Sequence, residues 1–98
     1  KLVERASEKA GERLWQLPLY KDFTDDIQSD VADIKNAAGR WGGACTAAAF
    51  LQEFVDKIPW VHLDIAGTAI DAKASNILPK KVASGAGVRT LVHLAMNF

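Results

Sequence analysis

Ala44-Cys45-Thr46-Ala47-Ala48-Ala49-Phe50-Leu51-Gln52-Glu53-Phe54-Val55-Asp56-Lys57-Ile58-Pro59-Trp60-Val61-His62-Leu63-Asp64-Ile65-Ala66 carries two hydrophobic periods in succession. Ala44, Ala47, Ala48, Leu51, Phe54, Val55 and Ile58 recur at helical spacing, while Gln52, Glu53, Asp56 and Lys57 fall on the opposite face. This predicts a helix from Ala44 to Ile58, which Pro59 helps to end because proline offers no backbone donor. From Trp60 the period becomes two. Val61, Leu63 and Ile65 share one face, and Trp60, His62, Asp64 and Ala66 share the other. Such near-continuous apolar character predicts a strand at Trp60–Ala66 buried on both sides, as in a parallel sheet.

Working outward, Asp30–Lys35 also alternates and predicts a strand, and the Gly-rich run Asn36–Gly43 predicts a turn. Lys1–Ala10 has the spacing of a helix, with Gly11 as its stop. Pro18 keeps Leu17 extended and excludes a central strand position at its own place. Tyr20–Ser29 predicts a short helix capped by Asp22 or Thr24. Downstream, Gly67–Gly87 is long for a loop of a compact domain, and loops of that length are usually functional or bind a partner chain. Val88–Phe98 predicts a last helix with Val88, Leu91, Val92, Ala95 and Phe98 inward. Strand–helix–strand–helix is the order of an α/β fold with a parallel sheet.

The 98 residues suit a single small domain, with 49% hydrophobic and 24% charged residues. Twelve Lys+Arg balance twelve Asp+Glu, so no basic surplus points to nucleic acid or an anionic membrane. No apolar run approaches the ~20 residues of a membrane span. Cys45 is the only cysteine, which excludes an internal disulfide and favours a reducing compartment. Lys1 stands inside a helical pattern without an initiator Met, and Phe98 ends an apolar helix pattern without a stop. Both predict a piece of a longer protein.

Several residues have a functional and a structural reading. His62 and Asp64 share a strand face and could form a ligand or catalytic pair at the strand's C-terminal end. The structural reading, a buried and hydrogen-bonded Asp64, is favoured and makes Asp64→Asn costly. Gly39-Arg40-Trp41-Gly42-Gly43 could cradle an anion at a helix N-terminus, but close packing of small residues explains it more simply. Lys73, Lys80 and Lys81 read as a solvated loop face. Trp15, Trp41 and Trp60 read as core or interface, and Cys45 as an inert filler. Two histidines and one cysteine on separate elements offer no metal set.

Five stretches together carry a resemblance. Gly11-Glu12-Arg13-Leu14-Trp15-Gln16-Leu17-Pro18-Leu19 and Ser29-Asp30-Val31-Ala32-Asp33-Ile34-Lys35-Asn36 resemble runs of the leucyl (cytosol) aminopeptidase family. Gly42-Gly43-Ala44-Cys45-Thr46-Ala47-Ala48-Ala49-Phe50-Leu51, Trp60-Val61-His62-Leu63-Asp64-Ile65-Ala66-Gly67-Thr68 and Gly87-Val88-Arg89-Thr90-Leu91 follow in the same order and spacing.

The resemblance implies that residues 1–98 are a C-terminal fragment of one catalytic domain, an αβα sandwich. It implies a cytoplasmic, metal-dependent hydrolase, usually a homo-hexamer, that removes N-terminal residues from peptide substrates. Two divalent metals (zinc, manganese or magnesium) would activate a water and stabilise the tetrahedral intermediate. The family's metal ligands (a lysine, three aspartates and a glutamate) and its Asn-Thr-Asp-Ala-Glu-Gly-Arg motif have no matching position here. They lie upstream, so no catalytic or metal residue is expected in this chain. The segment alone is expected to bind no metal tightly, to be inactive and, without its upstream half, to self-associate. What the resemblance does imply is substrate contact: Ala66, Ala69 and Ala37 would form part of the wall of the pocket for the substrate's first residue. A competing reading is a non-catalytic interaction or assembly module built on the same half-fold.

Overall fold

The computed structural model describes residues 1–70 and 82–98. Among these the regular elements are five helices: α1 (Leu2–Ala10), α2 (Lys21–Asp25), α3 (Gly43–Gln52), α4 (Ala66–Ala69) and α5 (Val88–Ala95). The sole β pairing among the described residues is an isolated antiparallel bridge between Ile70 and Ala83. No helix among them is long and apolar enough to cross a membrane. The chain divides into two compact units, Lys1–Trp15 with Leu63–Phe98, and Gln16–His62.

In the first unit α1 packs on α5. Ala6, Ser7 and Ala10 turn one narrow face of α1 inward, and all three are buried. Small side chains there let α5 approach closely. Gly11 ends α1 as expected, in the left-handed region at φ 67°. Its N–H donates to the Glu8 carbonyl at 3.1 Å, and the Glu12 N–H donates to the Ser7 carbonyl at 2.9 Å. This pair of bonds is a Schellman motif, and it needs a residue that tolerates positive φ. It turns the chain so that Glu12 points back at α5.

In the second unit α2 packs on α3, and the buried residues are Ile27 and Ala49, both fully shielded, with Cys45 and Thr46. Gly42 caps α3 at φ 69°, and a Cβ there would lie 3.6 Å from the Phe23 ring. The close packing expected of the Gly-rich run is not found at its glycines: the contact at Gly42 would be an ordinary one, Gly39 and Gly43 face open space, and it is the positive φ that favours glycine at Gly42.

Several expectations are corrected. Trp60–Ala66 is not a strand: residues 60–65 lack regular structure and Ala66 opens α4. A strand exists only through hydrogen bonds to a neighbour, and no described segment supplies a ladder here. Val61 and Ile65 are exposed rather than sandwiched. Asp30–Lys35 is bent, because the Ser29 hydroxyl accepts from the Val31 N–H at 3.3 Å and the Ala32 N–H at 3.2 Å. That local bonding competes with an extended backbone. The helix expected at Ala44–Ile58 stops at Gln52 and continues as tight turns, with Asp56 at φ 48°. α2 starts after Tyr20 without a side-chain cap, so neither Asp22 nor Thr24 has that role.

The inward faces are also rotated. α3 buries Cys45, Thr46 and Ala49, while Phe54 and Ile58, beyond its end, are exposed. α5 buries Thr90, while Val88, Leu91, Val92 and the distal Phe98 are exposed. Trp15 and Trp41 are exposed and Trp60 is half-buried, so no tryptophan is a core residue.

Candidate functional site

Ala66 and Ala69 open and close the single turn of α4. Ala66 is exposed and Ala69 half-buried. A four-residue helix has no intrinsic stability, so other groups must hold it. At its start the Asp64 carboxylate accepts from the Ala66 N–H at 3.1 Å. Asp64 is thus hydrogen-bonded as expected, but it is exposed rather than buried, because it serves a local turn instead of a strand face. His62 is half-buried.

At the end of α4 the Ser84 hydroxyl donates to the Thr68 carbonyl at 2.5 Å, and the Ser84 N–H donates to the Ala69 carbonyl at 2.8 Å. The Thr68 hydroxyl also turns inward on its own helix, donating to the Ile65 carbonyl at 3.2 Å.

The N-terminus of α5 lies a few residues beyond Ser84. Gly87, at φ 86°, stands at its cap position and offers no side chain. The Glu12 carboxylate supplies what is missing. One oxygen accepts from the Gly87 N–H at 3.2 Å, and the other from the Thr90 N–H at 2.9 Å and the Thr90 hydroxyl at 2.6 Å. Arg89 stands 3.7 Å away as an ion-pair partner. A carboxylate at a helix N-terminus meets orphan donors and the positive end of the helix dipole. These donors, the Thr90 hydroxyl foremost, hold the Glu12 carboxyl below the usual carboxylate range, outweighing the opposing effect of burial.

Ala37 belongs to the other unit. It is exposed and borders an open recess of about 850 Å³ together with Asp33, Lys35, Asn36, Phe50 and Phe54. The structure thus places Ala66 and Ala69 on one turn of the first unit and Ala37 in the second unit. Among the described residues no three of His, Cys, Asp and Glu stand together as a metal set. Cys45 is a buried free thiol in α3. The described residues do not fit a metal pair. Lys73, Lys80, Lys81 and most of the long Gly67–Gly87 stretch lie outside the described residues.

Glu12 and Ser84 escape a reading of the sequence because their partners are distant along the chain. Glu12 is separated from Thr90 by 78 positions, and Ser84 from Thr68 by 16. The one available signal is Gly11, a stop that forces the chain to reverse at Glu12.

Comparison with known proteins gives this arrangement its context. Residues 1–92 match the model of the cytosol aminopeptidase family, catalytic domain. The probable cytosol aminopeptidase of Desulforapulum autotrophicum is 56% identical over 96 residues, which is 98% of this chain and 19% of that protein. That of Geobacter sulfurreducens is 54% identical over 92 residues, covering 94% and 18% respectively. The solved structure of a tomato leucine aminopeptidase mutant superposes with a TM-score of 0.85 at 39% identity, covering 99% of this chain and 18% of that one. The segment therefore matches part of that family's catalytic domain. The chain belongs to the cytosol aminopeptidase family, and it spans about a fifth of the length of the relatives it matches.

Proposed function

We propose that this chain is the C-terminal part of the αβα catalytic domain of a two-metal, leucyl-type aminopeptidase that removes N-terminal residues from peptides. The observation that carries the reading is the match over residues 1–92, with a leucine aminopeptidase superposing on nearly the whole chain. In this reading the two units are parts of one domain. The exposed apolar faces, Phe54 and Ile58 in one unit and Leu91 and Val92 in the other, pack against the rest of it. The two divalent metals (zinc, manganese or magnesium) are held by the upstream half, and the segment alone is inactive. The intact enzyme is a cytoplasmic homo-hexamer. Ala66, Ala69 and Ala37 contribute to the wall that meets the first side chain of the substrate.

Small side chains at these positions leave room for a branched or long apolar residue. The test is kcat/KM for leucyl and alanyl p-nitroanilides in the full-length enzyme carrying this segment. Ala69→Phe or Ala66→Val should lower leucyl cleavage relative to alanyl by ~10–200-fold, the scale of hydrophobic-pocket discrimination. An equal fall for both substrates, or none, removes these alanines from the pocket.

A further inference from the structure

We propose that Ser84 is a positioning residue for substrate selection: it holds the α4 turn, and with it Ala66 and Ala69, at a fixed distance from the substrate's first side chain. The proposal rests on the pocket reading above. α4 is a single turn whose last carbonyls lack partners within the helix. Ser84 satisfies two of them, Thr68 through its hydroxyl and Ala69 through its N–H. The bridge between Ile70 and Ala83 extends this hold by one residue on each side.

Ser84 is itself held. Its oxygen, besides donating to Thr68, accepts from the Ala86 N–H at 3.2 Å. A hydroxyl carries one donor and two acceptor sites, so both bonds coexist. The Gly85 carbonyl accepts from the Val88 N–H at 3.0 Å, which ties this corner to α5. The start of α5 is in turn fastened to Glu12. Hydrogen bonds and the short backbone between them therefore link the Schellman corner after α1, through the start of α5 and Ser84, to the Thr68 and Ala69 carbonyls that end α4. Ser84 touches no substrate in this scheme, and its effect passes through the backbone of α4. Displacements of a wall by a fraction of an ångström are felt where pocket and side chain are closely fitted.

The experiment uses the full-length enzyme carrying this segment, with kcat and KM measured separately for leucyl and alanyl p-nitroanilides. Ser84→Ala removes the hydroxyl bond while the backbone bond can persist. The leucyl-over-alanyl ratio of kcat/KM should fall about 3–10-fold, a part of the full pocket discrimination, with the change in leucyl KM. Ser84→Thr keeps the hydroxyl and should restore the ratio to near the parent value. A merely structural serine would lower active enzyme for both substrates together and leave the ratio intact. Should the alanine variant fail to fold, Ser84→Cys, close in size and a weaker donor, should shift the ratio in the same direction. A parent-like ratio in Ser84→Ala or Ser84→Cys, while Ala69→Phe shifts it, overturns the positioning role and leaves the pocket reading standing. If Ala69→Phe shifts nothing either, both fall.

Discussion

In the unit made of residues 1–15 and 63–98, the buried described residues are Ala6 and Ala10 together with two polar ones, Ser7 and Thr90. Thr90 is fully buried with its hydroxyl bonded to Glu12, and Ser7 is buried with its hydroxyl donating to the Glu4 carbonyl at 2.8 Å. In the unit 16–62 the centre is mainly apolar: Ile27 and Ala49 are fully buried and Cys45 nearly so. The first kind of core depends on donors and acceptors meeting, and on the charge of one carboxylate. The second depends mainly on volume, with Thr46 its one buried polar side chain among the described residues. The same chain therefore contains one unit that should break by mispairing and one that should break by cavity formation.

The largest effect is expected in the apolar unit. Ile27→Ala removes the largest side chain fully shielded from water among the described residues and leaves a void in its place. A loss of about 2–5 kcal/mol of unfolding free energy is expected, read from urea unfolding of the full-length protein. A loss below 1 kcal/mol would mean that this unit collapses around the gap, and the contrast would weaken.

The next effect belongs to the polar unit. Glu12→Ala orphans the Gly87 and Thr90 N–H groups and the Thr90 hydroxyl, the last with no access to solvent. The expected loss is about 1–3 kcal/mol. Glu12→Gln keeps an acceptor but not the charge, and should fall between parent and alanine. If the glutamine and alanine variants unfold alike, charge rather than pairing carries the contact.

A subtler effect follows from acid. The folded Glu12 carboxyl lies below its ordinary value of 4.5, chiefly because the Thr90 hydroxyl donates to it. A carboxyl depressed on folding contributes stability that is complete above the unfolded value and is lost as pH falls through the folded one. The parent should therefore lose stability relative to Glu12→Gln on acidification below about pH 4.5, with the two curves parallel at neutral pH. Parallel curves throughout would sink this assignment. The comparison cancels the other carboxylates, which both proteins share.

Local signals were legible where the chemistry was local. Gly11 announced its left-handed stop, the Ala-rich run from Ala44 announced a helix, and Gly87 preceded the last one. The family was legible because five separate stretches kept their order. Orientation was not. Leu91, Val92 and Phe98 form an apolar stripe, and the reading turned that stripe inward, whereas the described residues bury Thr90 instead. An apolar face says only that something covers it, not that this chain does. The strand at Trp60–Ala66 failed for a related reason, since extended backbone needs a neighbouring strand that period alone cannot supply. The alanines of the candidate pocket came from resemblance, and their supports, Glu12 and Ser84, act over separations that no local pattern encodes.

The smallest expected effect tests that lesson at Asp64. Read as part of a buried strand, its carboxylate would have to be paired, and Asp64→Asn would cost about 1–3 kcal/mol. In the structure Asp64 is exposed, and its one bond among the described residues is the N–H of Ala66 donating to a side-chain oxygen at 3.1 Å. Asparagine offers a carbonyl oxygen at the same place, so the turn into α4 survives the substitution. The charge removed is exposed and has no buried partner among the described residues. The expected change in unfolding free energy is under about 0.5 kcal/mol, as for surface substitutions in general. The measurement is the urea midpoint of the full-length protein at neutral pH, with Asp64→Ala as the companion that does delete the acceptor. A loss above 1 kcal/mol for the asparagine variant would show that Asp64 meets a charged partner supplied by the rest of the catalytic domain, and the strand-face reading of this residue would regain its force.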